Sequence, residues 1–364
     1  MLFAGAMSAQ NEMAILSHSG TLTDYYGTTA LADALNDAVS GDVVTVSSGS
    51  FNITSIPEGV TVRGAGFEED LEAGGIMPTI VDYPNSSGSL IINKKAKVEG
   101  IKFVDNVKVC DSVYLSKCYF ETYLYPYRNV NGNDYYDATN LTIVNCYIST
   151  IQNNNMKNSI ITNSIISNYG KTSSNGGLTQ VKNCIIGDIG YSILNATTTP
   201  DVFTGCILMT NTNCSSPRRQ TNCYNCIGLT RQSTYCSEGA PFFAASVPGD
   251  TAINYTAFLQ LTQAQQGSVL ALTYTNSAHH NFNANSFAEL FNFLTYVTAA
   301  PRTDYSLTPT FDTLALQYGI GLFQGMAPYT PFVNRPHYLR TNVSPRTTND
   351  GQLSVDIQVV TVEE

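Results

Sequence analysis

The chain contains no tryptophan, and only 13% of its residues are charged. A long basic cluster is also missing: the candidate, Arg218 with Arg219, is too short to count in a chain of net charge -10. That argues against nucleic acid as a partner, because binding a phosphate backbone needs a basic face. No apolar run approaches the roughly 20 residues that a membrane-spanning helix requires, so no transmembrane segment is expected. No Pro/Gly/Ser-rich linker breaks the chain, so a single domain is expected, although 364 residues would also accommodate two.

What fills the sequence instead is Tyr, Thr, Ser, Asn and Gly. Tyr and Thr suit strands while Asn and Gly suit turns, the texture of an extracellular β protein. The start, "MLFAGAMSAQ", reads as the end of a secretory signal running into a small-x-small site around Met7, Ser8 and Ala9, with cleavage before Gln10. Residues 1–10 are therefore expected to be a signal remnant and the protein secreted or held at a cell surface. The basic n-region is missing, so an ordinary chain end is the alternative. Nine cysteines fit an exported protein, but an odd count leaves at least one thiol unpaired.

A hexad recurs: "VEGIKF" at 98, "LSKCYF" at 115, "IVNCYI" at 143, "ITNSII" at 161, "VKNCII" at 181 and "FTGCIL" at 203, with an echo in "CYNCIG" at 223. A period near 20 residues with one short strand per repeat is the mark of a solenoid, in which each repeat hides its apolar face only by stacking on its neighbours. Positions 1, 4 and 6 are apolar or small, and the step from 1 to 4 breaks period two, implying a bend between them. Cys118, Cys146, Cys184, Cys206 and Cys226 share one slot, with Ser164 in the rung between 146 and 184. Coils stack about 4.8 Å apart, so this slot is expected to form a buried ladder in which Cys acts as a small hydrophobe. The preceding slot holds Asn145, Asn163, Asn183 and Asn225, suited to a left-handed corner and to hydrogen bonds along the stack.

Before the first coil, "TTALADALNDAVSGD" puts Leu31, Ala34, Leu35, Ala38 and Val39 on one helical face with Gly41 as a stop. A short helix there is expected to cover the open end of the stack. The succession "GDVVTVSSGSF", "VTVRGAG", "PTIVD" and "SLIINKKAKVEGIKF" resembles the opening of bacterial right-handed parallel β-helix proteins of the pectin lyase type. The stretches "DYSLTPTFDTLALQYGIGLFQGMAPYTP" and "NVSPRTTNDGQLSVDIQV" are similar to the last coil and short tail of exported bacterial members without an assigned role. The resemblance implies an all-β, right-handed parallel β-helix over residues 11–340, a β tail over 341–364 and a bacterial source. In "SFAELFNFLTYV", Phe287, Leu290, Phe291, Leu294 and Val297 have helical spacing, placing a core-packed helix near 286–298.

Lyases of this architecture need an Arg or Lys base with acidic residues for calcium, and hydrolases need closely set carboxylates. Repeat region 140–230 contains only Asp188 and Asp201, in different parts of their repeats. The Trp-Ile-Asp-His, Arg-x-Pro-x-x-Arg and Asn-Thr-Asp patterns of the family's enzymes are missing, so no catalytic residue is carried over. The interval between Cys118 and Cys146 is too long for a plain coil. Its "ETYLYPYRNVNGNDYYDATN" gathers Tyr123, Tyr125, Tyr127, Tyr135 and Tyr136 with Glu121, Arg128, Asp134 and Asp137. Tyr rings beside amides and carboxylates suit stacking on, and hydrogen bonding to, a sugar, which makes this segment the candidate ligand site. A loop folded down on the coil side is the alternative. Asn131, Asn133, Asp134 and Asp137 offer a weak calcium set without a recognised spacing.

Cys214, Cys223, Cys226 and Cys236 have a zinc-like spacing, but Cys226 belongs to the ladder. A disulfide among Cys214, Cys223 and Cys236, or free thiols, competes with it. His279 and His280 sit in a polar stretch, expected to be a solvated loop. Two functions follow. One is an exported or surface β-helix that binds glycan or another surface without catalysis. The other is a polysaccharide lyase or glycoside hydrolase using Asp134, Asp137 and Arg128, or carboxylates of the first coils such as Asp105 and Asp111. A phage tailspike-like fibre, which would be trimeric, is a weaker third.

Overall fold

The computed structural model describes residues 12–69, 77–85, 88–152, 156–170, 179–189, 201–210, 223–229, 251–254, 280–284, 287–292, 305–325, 328–330, 337–343 and 355–360. The segment 1–10 expected to be a signal remnant lies outside them. The strands stack in parallel as a β-solenoid of about seven turns. An 11-stranded sheet runs from Thr21–Tyr26 to Cys223–Tyr224, and a 14-stranded sheet includes strands from Gly49–Asn52 to Thr251–Asn254.

Each hexad is the link between these sheets. Its first residues end a strand of the 11-stranded sheet, a corner follows, and its last residues begin a strand of the 14-stranded sheet. The corner is left-handed in successive coils, with φ of 68° at Gly100, 50° at Lys117, 52° at Asn145, 47° at Asn163, 52° at Asn183, 63° at Gly205 and 52° at Asn225. Asn and Gly tolerate this conformation at the least cost. The corner explains why period two fails between hexad positions 1 and 4.

Position 1 stacks through Val98, Leu115, Ile143, Ile161, Val181, Phe203 and Cys223, each in register with the next. Position 6 stacks through Phe103, Phe120, Ile148, Ile166, Ile186 and Leu208. All of these are buried, and each such side chain removed from water contributes roughly 1.5–3 kcal/mol.

The cysteine slot does more than fill space. Sγ of Cys118 donates to the Ser116 carbonyl at 3.2 Å, Cys146 to Val144 at 3.3 Å, Cys184 to Lys182 at 3.1 Å and Cys206 to Thr204 at 3.5 Å. Ser164 makes the same bond to Thr162 at 2.8 Å. The corner turns a carbonyl toward the slot, and a small side chain with a donor satisfies it, which is why Ser164 can stand in for Cys. Burial lifts the thiols of Cys118 and Cys206 well above their ordinary range. We expect Cys118, Cys146, Cys184 and Cys206 to stay unmodified by iodoacetamide at pH about 8 until the protein is unfolded. Peptide mass mapping checks this, and labelling of Cys184 in the folded protein at a free-thiol rate contradicts it.

Hexad position 5 points away from the interior, and its column changes character along the stack: Lys102, Tyr119, Tyr147, Ile165, Ile185, Ile207, Ile227. The aliphatic part is covered. Leu290, Phe291, Phe311, Leu314, Ala315, Ile320 and Leu322 form a second hydrophobic cluster with it. The segment expected to be the last coil is therefore different in kind. Pro309–Tyr318 is a helix with Pro at its start and Gly319 in the left-handed cap position at φ 65°. The chain after it is tied to the asparagine corners. Nδ2 of Asn163 donates to the carbonyls of Leu322 at 2.9 Å and Gln324 at 2.6 Å, and Nδ2 of Asn183 to Gly319 at 2.6 Å. These asparagines were expected to bond along the stack; they hold a strap across it instead.

Two helix boundaries also differ. Phe287–Leu290 is one turn, because Phe291 leaves the helix to bridge Leu307 and the Asn292 amide bonds Ser306. Leu294 and Val297 lie outside the described residues. At the other end, helix Ala30–Asp37 buries Ala30, Leu31, Ala34 and Leu35, but Ala38 is extended and Val39 is 53% exposed. The Asp42 carboxylate takes the Val39 N–H at 2.8 Å and so holds the chain in its exit. Strands His337–Val343 and Val355–Val360 pair antiparallel.

Candidate functional site

The long interval after Cys118 is built as strand and hairpin. Strand Tyr119–Pro126 continues the 14-stranded sheet, and Arg128–Val130 pairs antiparallel with Asn133–Tyr135. The turn is Asn131-Gly132 with φ of 53° and 82°. Two consecutive positive φ values are what a two-residue primed turn requires, and Asn-Gly is the pair that supplies them.

Charges and one tyrosine anchor the hairpin's foot. The Arg128 guanidinium makes two 2.8 Å bonds to the Asp137 carboxylate and lies 5.1 Å from the Tyr135 ring centroid. Asp134 accepts from the Tyr127 hydroxyl at 2.7 Å, from Asn129 Nδ2 at 2.9 Å and from Lys108 Nζ at 3.5 Å. The Tyr127 hydroxyl, then the Asn129 amide, hold the Asp134 carboxyl below its usual range. Tyr127 itself is only 6% exposed, with the Lys108 ammonium 4.5 Å above its ring.

Above this foot the remaining rings are open. Tyr123 is stacked on Tyr125 at 5.5 Å, and Tyr125 lies 6.0 Å from Tyr136. Tyr125 and Tyr136 line a groove of about 290 Å³ together with Ser89, Asn106, Lys108 and Gln152. Stacking of coils delivers those residues side by side: Asn106 lies opposite Ser89, and Lys108 opposite Tyr125. The polar row continues on later coils through Tyr123, Thr150, Asn168, Asp188 and Thr210, each opposite the next.

The structure thus brings Tyr125 and Tyr136 together at an open groove, stacks Tyr123 behind Tyr125 and leaves Tyr135 on the hairpin. It turns Tyr127 inward, where the ring offers no face to a ligand. Asp134, Asp137 and Arg128 do not line the groove; each is satisfied at the foot of the hairpin. For calcium, no group of three or more His, Cys, Asp or Glu side chains is poised for a metal among the described residues. Asp111 bonds the Thr139 amide at 2.8 Å, and fully buried Asp201 bonds the Thr179 amide and the Tyr169 hydroxyl, both at 3.1 Å. Those two acids tie coils together. Cys223 faces the interior in register with Phe203, while Cys214 and Cys236 lie outside the described residues. His280 opens strand His280–Ala284 rather than a loop, and His279 lies outside the described residues.

Sequence reasoning missed Ser89, Asn106, Lys108 and Gln152. Alternation in "SLII" and "NVKV" carried the signal, since it sets Ser89, Asn106 and Lys108 on the outward face. Also missed was Asp82, which shares a hydrogen bond with Asp105. That bond, helped by burial and opposed by the Tyr83 amide, raises the Asp82 pKa above the ordinary carboxylate range. A carboxyl whose folded pKa is raised supports folding fully below its unfolded value of about 3.9, and this support is lost as pH rises through the folded value. Asp82→Asn is therefore expected to raise the melting temperature at neutral pH relative to wild type and to lose that advantage on acidification. Parallel melting curves from pH about 4 to about 7 check it; a constant offset would show that no proton is shared.

Searches against family models, curated proteins and solved structures return no match to this chain, so the β-solenoid stands on its own register and packing.

Proposed function

We propose that this is an exported or cell-surface protein, a right-handed coil of the bacterial pectin lyase-like kind, that holds a glycan without cleaving it. One observation carries the proposal: Tyr125 and Tyr136 flank a groove whose other walls are amide, hydroxyl and ammonium groups. Aromatic rings present an apolar face to a sugar ring, and the surrounding polar groups fix its hydroxyls. A rigid coil supports the groove, so little order is lost on binding.

The test is a binding screen of plant, microbial and host polysaccharides, with Tyr125→Ala and Tyr136→Ala beside the wild type. Binding that falls about tenfold or more in either variant is the expected result. A bound polymer indifferent to both substitutions would move the site elsewhere.

A second reading, a polysaccharide lyase or glycoside hydrolase, is favoured by the hydrogen-bonded carboxyl pair Asp82 and Asp105. Paired carboxyls are the working parts of glycoside hydrolysis. The same screen with calcium present, read for new reducing or unsaturated ends, decides between the two: products that vanish in Asp105→Asn replace the binding reading with the enzyme.

A further inference from the structure

Three cations stand on the strands and hairpin around the Tyr-rich segment, and each already has an anion. Lys108, whose side chain is 19% exposed, is held between the Tyr127 ring at 4.5 Å and the Asp134 carboxylate at 3.5 Å. Arg128 is fixed by two bonds to Asp137, and Lys102 pairs with Glu121 at 2.9 Å. Only Lys108 among them lines the groove. The other lining groups, Ser89, Asn106, Tyr125, Tyr136 and Gln152, are neutral donors and acceptors.

The same character extends along the solenoid axis. Ser89, Asn106, Tyr123, Thr150 and Asn168 occupy one outward column on consecutive coils. A polymer lying along that axis meets a neutral hydrogen-bonding side chain about every 4.8 Å. Beside Asn106 stands Asp105, in its pair with Asp82, and farther along the column stands Asp188. Both extend the field of a chain whose net charge is -10.

Resting on the glycan-binding reading above, we infer that the groove takes uncharged polysaccharides and rejects polyuronates. A sugar hydroxyl can use the free capacity of the Tyr, Asn, Gln and Ser groups without displacing anything. Among the described groove-lining residues a uronate carboxylate has no unclaimed cation to meet, so it must evict Asp134 from Lys108 or lose its water uncompensated. Arg128 gives it no alternative in the groove, since Arg128 does not line it and its Nε and Nη2 are bonded to Asp137 at the hairpin's foot.

The test uses polymer pairs that differ in the carboxylate: galactan against polygalacturonate, and mannan against alginate, titrated by calorimetry at low and high salt. The expected result is at least about tenfold tighter binding of a neutral member than of its acidic counterpart, with little dependence on salt. In Asp134→Asn, which frees Lys108 but keeps an acceptor for Tyr127, the preference is expected to narrow as polygalacturonate binding rises. Tighter binding of the acidic members, weakening with salt and lost in Tyr125→Ala, overturns the inference and leaves the glycan site standing. Absence of binding to all four polymers by wild type overturns both.

Discussion

Replacing Ile185 by Ala is expected to cost about 2–5 kcal/mol, as much as a deletion inside the solenoid, although this side chain points out of it. Ile185 is fully buried because the strap covers it, in one cluster with Phe311, Leu314, Ile320 and Leu322. Its register neighbours Ile165 and Ile207 are equally buried, so the void cannot close by a small shift of one coil. Gln180→Ala, at an exposed position of the preceding strand, serves as a reference and is expected to change stability by less than about 0.5 kcal/mol. Urea unfolding measures both. If Ile185→Ala behaves like the reference, the strap is not packed on the coils in solution.

The second large effect belongs to Asn163. Its Nδ2 serves two strap carbonyls from a corner at φ 47°. Asn163→Ala puts an ordinary residue in the left-handed region, costing roughly 1–2 kcal/mol, and takes a donor from the half-buried Gln324 carbonyl and from the Leu322 carbonyl, which keeps the Tyr329 N–H, costing roughly 1–3 kcal/mol. A loss of about 2–5 kcal/mol is expected from their sum. Asn163→Gly removes the bonds but accepts the corner, so it is expected to be milder by about 1–2 kcal/mol. Equal losses in Ala and Gly would mean that the bonds carry everything; no loss in Gly would mean that the carbonyls find water instead.

The parts of the structure that were legible in the sequence are those where one residue type answers one local demand. Cys118, Cys146, Cys184 and Cys206 mark the ladder because the slot is small and buried, and Asn145, Asn163 and Asn183 mark the corner because it is left-handed. What the sequence concealed was long-range. Ile165, Ile185 and Ile207 sit where an outward residue belongs, and only the strap, more than a hundred residues later in the chain, explains them. The helix Pro309–Tyr318 carried its own boundary signals, Pro at the start and Gly319 after the end, yet likeness to a terminal coil obscured them. At the candidate site the tyrosines were visible as composition and Asn131-Gly132 as a turn pair. Which rings would open outward was not, because Tyr127 is turned in by Asp134 and Lys108, residues whose positions depend on the hairpin register and on the coil below.

Coiled stacks of this kind ordinarily gain or lose a turn by in-frame duplication or deletion, since each turn interacts only with its neighbours. The strap removes that freedom over part of this chain. Its carbonyls at Gly319, Leu322 and Gln324 are spaced to meet Asn183 and Asn163 on adjacent corners, and the Gly321 amide meets the Gly205 carbonyl at 2.8 Å on the next. It works as a ruler laid across three corners. A turn inserted between Asn163 and Gly205 would break the match, whereas the turns before Cys118 carry no such gauge. Length variation among descendants of this sequence should therefore accumulate on the hairpin side of the molecule, where the groove is, and be suppressed beneath the strap.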